Sequence, residues 1–280
     1  MNASASRRRR RSEFAARVID VMPAVAALAV MVGFWEMWVR VRNTADYVLP
    51  PPSQIWAAFV ADRGMLGDHV VTTLTEAALG LGVGALLGVG LAVVIAGSRF
   101  ARRVLYPLVV ASQTIPMIIM APLLVLWFGF GMTPKVVVVA LVTFFPVAIA
   151  TVGGLTGADP EMVDLVRSMG ASRRAVLRHV RVPHALPALF DGLRIAAAYT
   201  VAAAVIAEWT GASKGLGIYI SRSQASFRVD QVFVAVVIVA VMSTALFLVI
   251  GGLARVASPW RYASTGMDIS SSADAERTRS

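Results

Sequence analysis

Cysteine is absent from all 280 residues, which excludes disulfide bridges and sites that bind zinc or iron–sulfur clusters through thiolates. Histidine is scarce, and His69, His179 and His184 are not clustered at ligand spacing. We therefore expect no metal site and no metal-dependent catalysis. Charge is also scarce, because charged residues make up 15% of the chain, whereas soluble domains have about 25%. The composition does not fit an ordinary soluble domain.

Hydrophobic residues make up 58% of the chain and fall in long runs that carry almost no charge. A membrane-spanning helix needs about 20 such residues, and its backbone must satisfy its own hydrogen bonds inside the lipid. The alternation typical of a barrel strand is missing. The sequence therefore predicts an all-α integral membrane protein of about six transmembrane helices, at 18–39, 72–96, 104–128, 135–155, 193–209 and 232–253.

The basic residues are unevenly distributed among the connections. Arg7–Arg11 precede the first run, and further arginines follow the second, fourth and sixth runs, whereas the other connections carry few. The positive-inside rule then predicts that both termini lie in the cytoplasm, and an even number of spans agrees with this. The net charge of +10 is explained by this topology, and we expect no nucleic-acid partner. We divide the chain into a basic cytoplasmic N-terminus (1–17), a transmembrane domain (18–260) and a disordered cytoplasmic tail (261–280).

A twin-arginine export signal or a cleaved signal peptide are alternative interpretations of the N-terminus. The apolar run that follows is long for a signal core, and no clear small-residue cleavage site follows it. An anchor helix fits this pattern better.

Two features concern the packing and lining of the spans. Gly80, Gly84 and Gly88 repeat every four residues, which predicts a ridge where a neighbouring helix approaches closely. Polar residues beside a proline in the third run favour a gated pathway, although Gln113 could instead bond a neighbouring helix. Glu208 could meet solvent, pair with Lys214 or belong to an external gate. The candidate pathway residues are Ser112, Gln113, Thr114, Pro116, Thr143 and Glu208.

The longest cytoplasmic connection, 157–192, has helix signals of its own. Asp159 and Pro160 predict the start of a short helix that ends near Met169. Gly170 supplies the positive φ that commonly follows a helix, and Ser172 can cap a second helix that stops near Pro183. The connection could be a basic hairpin on anionic headgroups or a docking element for a cytoplasmic partner.

The spacing within this connection resembles a known family motif. Asp-Leu-Val at 164–166, Gly170 three residues later, and Val-Arg-Val-Pro at 180–183 are similar to the EAA loop of binding-protein-dependent ABC transporter permeases. That motif reads Glu-Ala-Ala, three residues, Gly, nine residues, Ile, any residue, Leu-Pro. Aspartate replaces glutamate here, and larger apolar residues replace the two alanines.

Shorter segments resemble the branch that serves sulfonate, nitrate, taurine and pyrimidine-precursor uptake. The resemblance covers about residues 45–260, and among these uptake systems it is nearest the pyrimidine-precursor or riboflavin subgroup. The segments are Leu49–Ser53, Ser112–Pro116, Ala121–Leu124, Trp127–Gly131, Phe144–Pro146, Ala207–Trp209 and Gly215–Gly217.

The resemblance implies a type I importer permease fold with a core at about 68–255. It implies a permease subunit that is not an enzyme and has no cofactor of its own, because ATP and magnesium bind a partner ATPase. Its partners would be cytoplasmic ATPase subunits, an extracytoplasmic solute-binding protein, the lipid bilayer and a second permease subunit, in a homodimer. The ATPase-coupling residues would be Asp164, Leu165, Met169, Gly170, Ala171, Ser172 and Pro183.

Two other classes of protein are alternatives to a permease subunit. A stand-alone facilitative or ion-coupled carrier is the main alternative, but several intramembrane acids that could couple transport to an ion are not found in the runs. An intramembrane enzyme would need a catalytic constellation within the runs, and the sequence shows no such set.

Overall fold

The computed structural model describes the backbone of residues 3–260 and the side chains of residues 22–260, and every regular element in this part is helical. Five stretches are long and apolar enough to cross a membrane, or six if α3 and α4 form one bent span. The all-α membrane fold is therefore confirmed. The tail predicted to be disordered (261–280) lies outside the described residues. The helices are α1 (Ala3–Arg42), α2 (Pro52–Gly97), α3 (Arg99–Ser112), α4 (Met117–Phe128), α5 (Met132–Thr156), α6 (Pro160–Ser168), α7 (Arg173–Val176), α8 (Val182–Glu208), α9 (Leu216–Ala225) and α10 (Val229–Ala257).

One compact unit contains Met1–Gly64 and Ser223–Val234. In it, the carboxylate of Glu36 on α1 accepts hydrogen bonds from the side chain of Arg40 and from the backbone N–H of Ser53 at 3.0 Å. The first turn of α2 has unpaired backbone donors, and Glu36 supplies an acceptor for one of them.

Within the described residues, the second unit contains Met65–Arg222 and residues 235–260. Its centre is the packing of α5 against α8, where small residues let the two backbones approach closely. A Cβ built on Gly192 would lie 2.7 Å from Cβ of Ala150, and one on Gly154 would lie 2.8 Å from Cα of Ala185. Any larger side chain at either position would force the helices apart.

The glycine ridge of α2 packs against α5, as the sequence predicts. Cβ atoms built on Gly80 and Gly84 would overlap the side chains of Val139 and Thr143, and one on Gly88 would lie 2.8 Å from the carbonyl oxygen of Phe144. The ridge therefore fixes how closely α2 and α5 can pack.

The third apolar run is not one straight span, which corrects the prediction of a single helix at 104–128. α3 ends at Ser112, α4 begins at Met117, and the two helices differ in direction by 98°. Pro116 lies in the extended region, with φ −66° and ψ 115°, immediately before α4. Because proline lacks an N–H and disfavours helical geometry in the residue before it, the helix breaks here, whereas α4 continues through Pro122.

The prediction that the second loop helix stops near Pro183 is wrong. Helical structure runs without a break over Arg173–Glu208, because a π-helical turn at Leu177–Arg181 connects α7 to α8. The N–H of Val182 bonds to the carbonyl of Leu177, five residues earlier. In a regular α-helix the proline ring would clash with the carbonyl four residues before it, and the wider turn removes that clash.

Candidate functional site

The first part of the connection at 157–192, up to the start of its second helix, has the local structure that the sequence predicts. The carboxylate of Asp159 accepts a hydrogen bond at 2.9 Å from the N–H of Glu161 and so caps α6. Gly170 follows the helix with φ +90°, and the hydroxyl of Ser172 accepts from the N–H of Ala175 at 3.3 Å. Two capped helical segments therefore meet at a turn with a left-handed residue.

The turn after α6 is a complete Schellman motif. The N–H of Gly170 bonds to the carbonyl of Arg167 at 2.9 Å, and the N–H of Ala171 bonds to that of Val166 at 3.2 Å. Val166 and Ala171 also pack against the buried cluster of Ala158, Val163 and Val176. The turn is therefore held rigidly by its own hydrogen bonds and by a small apolar core.

The other face of α6 is apolar and open. Met162, Leu165 and Met169 are spaced three and four residues apart, so they share one helix face, and their exposed fractions are 51%, 59% and 79%. Asp164 is also exposed, and it pairs with Arg167 at 3.5 Å. A Cβ on Gly170 would meet nothing in the described part of the chain. This face is therefore available to a partner.

A cavity of about 400 Å³ lies between the break in the third run and one side of α5. Ser112 and Gln113 supply its polar side chains, and Phe144 and Phe145 supply aromatic rings. The hydroxyl of Ser112 donates to the carbonyl of Val109 at 2.7 Å. Irregular backbone at membrane depth is tolerated where it is buried in protein or lines a water-filled cavity. The remaining lining residues are Ile115, Met117, Met120, Leu141 and Val142.

The other predicted pathway residues do not line this cavity. Thr114 and Pro116 lie in the same break, where both are exposed. Thr143 is fully buried in the second unit, where its hydroxyl donates to the carbonyl of Val139 at 2.9 Å and faces the ridge at Gly84. In the described chain Thr143 is a packing residue, and a role for it in transport stays a prediction.

Glu208 neither meets solvent nor pairs with Lys214, which corrects both of those expectations. Its side chain is completely buried, whereas Lys214 lies at the surface and binds Asp68 at 2.9 Å. The hydroxyl of Thr73 donates to Oε1 of Glu208 at 2.6 Å, and the N–H of Gly217 donates to Oε2. Its role in an external gate stays a prediction.

Helix α9, which the sequence analysis missed, is capped by side chains of other helices. Three successive N–H groups at its start are bound: Gly215 to Nδ1 of His69 at 3.0 Å, Leu216 to the hydroxyl of Thr73 at 2.9 Å, and Gly217 to Glu208. Cβ atoms on Gly215 or Gly217 would overlap the Glu208 side chain, and Gly215 has φ +126°. The two glycines therefore let the start of α9 approach α2 and α8.

A buried ion pair beside this cap was also missed. Nζ of Lys135 on α5 donates to Oε1 of Glu76 on α2 at 2.8 Å, and the two residues are 8% and 1% exposed. The sequence carried a signal for this pair, because a charged residue inside an apolar run requires a partner. The sequence did not show which residue that partner would be.

Comparisons with known proteins agree with this geometry. Residues 80–261 match the family described as "Binding-protein-dependent transport system inner membrane component". The chain is 36% identical to a probable ABC transporter permease protein of Haemophilus influenzae, over 84% of this chain and 96% of the relative. It is 35% identical to a formylaminopyrimidine transport permease protein of Halalkalibacterium halodurans, over 85% of this chain and 95% of the relative.

A more distant relative and a solved structure extend the comparison. The chain is 29% identical to the taurine transport system permease protein of Escherichia coli K12, over 86% of this chain and 90% of the relative. An inward-facing structure of the MetNI methionine ABC transporter superposes with a TM-score of 0.63 at 19% identity, over 70% of this chain and 98% of that chain. The likeness at this identity shows a shared type I importer fold.

Proposed function

This chain belongs to the binding-protein-dependent transport system inner membrane component family, and on that basis we propose how it is coupled and what it carries. It is a permease subunit of an ABC importer and a multi-pass protein of the inner membrane. Permease subunits of this kind are not themselves enzymes. A stand-alone carrier is not favoured, because the relatives are permease subunits.

The proposed coupling element is α6 with the turn at Gly170. The open apolar face of Met162, Leu165 and Met169 carries this proposal, because such a face on an exposed helix fits a groove on a partner. The proposed partner is a separate ATPase subunit that binds ATP and magnesium. The chain itself lacks the Gly-x4-Gly-Lys-Ser/Thr sequence that cradles phosphates.

The proposed assembly is a homodimer of this chain above two ATPase subunits. The α6 loop and both chain termini would face the cytoplasm, and a solute-binding protein would deliver solute to the other side. The distribution of arginines supports this orientation.

The cavity beside the helix break supports a planar, uncharged solute. Gln113 offers an amide NH2 group as donor and a carbonyl oxygen as acceptor, and Phe144 and Phe145 offer ring faces. Charged side chains are absent from the lining of the described cavity. A permanently ionised sulfonate would lose its hydration there without a cationic partner. We therefore propose a heterocycle of the formylaminopyrimidine type over a taurine-like sulfonate.

Leu165→Asp tests the coupling proposal in the transporter reconstituted with its ATPase. A charge on the open face should abolish co-purification of the ATPase and ATP-driven uptake, while the chain still inserts into the membrane. Val48→Asp is the matched control, because Val48 is 60% exposed in the turn between α1 and α2 and lies outside the loop. Normal ATPase association by Leu165→Asp would contradict the proposed docking face.

Uptake of labelled solutes tests the proposed solute class separately from the coupling proposal. Vesicles that contain the complete transporter should accumulate a formylaminopyrimidine and should not accumulate taurine. Accumulation of taurine alone would overturn the solute class and leave the coupling proposal intact.

A further inference from the structure

The interior of the second unit holds two carboxyl groups and a single ammonium group. Glu76 and Glu208 are 1% and 0% exposed, and Glu208 accepts a hydrogen bond from Thr73, which lies about one helical turn before Glu76 on α2. Lys135 binds Oε1 of Glu76, while Oε2 of Glu76 has no hydrogen-bond partner in the described part of the chain. A buried carboxyl oxygen without a donor is costly, so this atom requires an explanation.

The surrounding charges do not balance two carboxylates. The groups that bind Glu208, the hydroxyl of Thr73 and the N–H of Gly217, are neutral. On the rest of α2, His69 accepts the N–H of Gly215, and Asp68 pairs at the surface with Lys214 from the connection before α9. On α9, the ring of Tyr219 packs against His69, and the side chain of Arg222 is exposed. Lys135 therefore compensates one carboxylate, and the other would be a buried unpaired charge.

We propose that Glu76 and Glu208 hold one proton between them, and that this proton completes the network that caps α9. Because Lys135 already pairs with Glu76, the proton lies on Glu208 and is donated to the unpartnered Oε2 of Glu76. The cluster then holds one ammonium, one carboxylate and one neutral carboxyl group. Loss of the proton places two carboxylates close together and weakens the attachment of α9 to α2 and α8.

Infrared spectroscopy of the full chain in lipid nanodiscs detects such a proton directly. The wild type should show the carbonyl band of a protonated carboxyl group at neutral pH. The band should disappear in Glu208→Gln, because the amide replaces the protonated group and still donates to Glu76. It should also disappear in Glu76→Gln, because Glu208 then becomes the single carboxylate that balances Lys135. Absence of the band in the wild type, or its persistence in both variants, overturns the proposal.

The pH dependence of thermal unfolding supplies a second readout. In the wild type the unfolding midpoint should fall as the pH rises above neutral, because the folded chain loses the proton that separates the two carboxylates. Glu208→Gln has no such proton, and its midpoint should stay level over the same range. The unfolding midpoint of Asp46→Asn, which removes an exposed carboxylate, should fall with pH as that of the wild type does. An equal fall in Glu208→Gln and the wild type contradicts the proposal.

Two outcomes have specific meanings in these experiments. If Glu208→Gln does not assemble, Glu76→Gln provides the same two readouts, because it also leaves one carboxylate for Lys135. A midpoint that depends on sodium concentration, together with no infrared band, would show that a cation occupies the cluster and would overturn the assignment of a proton.

Discussion

The backbone conformation at Gly170 favours glycine, whereas the space around it would admit a side chain. Its φ of +90° is unfavourable for residues with a Cβ, whereas a side chain there would touch no atom of the described chain. A small residue would strain the turn, and a large one would in addition obstruct a partner at the end of α6. The two kinds of substitution therefore separate the turn from the docking surface.

Gly170→Asp should abolish ATP-driven uptake while membrane insertion persists. Gly170→Ala adds only the strain of a left-handed residue, about 1 kcal/mol, and should retain part of the uptake. Uptake into vesicles and the amount of inserted chain are the measurements. Gly153→Ala is the control, because a Cβ there also meets nothing. Full uptake by Gly170→Asp with normal ATPase association would refute the coupling role.

Gln113→Leu should lower uptake about twofold to twelvefold, which corresponds to the loss of one hydrogen bond worth about 0.5–1.5 kcal/mol. Its thermal stability should be unchanged, because Gln113 is exposed in the described chain. Thr114→Val is the matched control from the same break, since Thr114 does not line the cavity. Equal uptake rates for the two variants would remove Gln113 from the pathway.

At the scale of elements, Gly84 shows how closely α2 packs against α5. Gly84→Val should destabilise the fold by about 1–3 kcal/mol, the range for overpacked interiors. A Cβ at Gly84 lies 2.6 Å from the carbonyl oxygen of Ala140, whereas one at Gly82 meets nothing. Chemical unfolding in detergent measures the difference, with Gly82→Val as a control on the same helix. Equal stability of the two variants would mean that the ridge does not limit the packing.

Local signals predicted the elements whose cause is local. The caps at Asp159 and Ser172 and the turn at Gly170 depend on residues within a few positions of each other, so the sequence reveals them. The helical continuation past Pro183 depends on a wide turn that no single residue type specifies. For that reason the sequence predicted a helix between Ser172 and Pro183, but it did not predict that helical structure continues beyond the proline.

Contacts between residues far apart in the chain could not be predicted from the sequence, for a different reason. Glu76 meets Lys135 59 positions away, and the N–H donors at the start of α9 meet capping acceptors on α2 and α8. Helical periodicity shows which face a residue occupies, but it does not show which other helix will cover that face. Glu208 and Gly215 both lie in segments that resemble the same family branch, but only the structure shows that they are in contact.

At the scale of the whole molecule, the missing cysteines make the topology directly measurable. Met169→Cys and Ser213→Cys each introduce a single exposed thiol into a chain that has none. In inside-out vesicles a membrane-impermeant maleimide should label position 169 and should not label position 213. Right-side-out vesicles should give the reverse, and labelling of both sites from one side would contradict the proposed orientation.

The uninterrupted helical stretch Arg173–Glu208 has a mechanical consequence. Its 36 residues span about 54 Å at about 1.5 Å per residue, from the turn beside α6 to the buried cluster at Glu208. Such a rod is a lever arm, so a tilt of about 5° at one end displaces the other by about 5 Å, nearly one helical turn. A small rotation imposed at the loop is thus amplified by length alone.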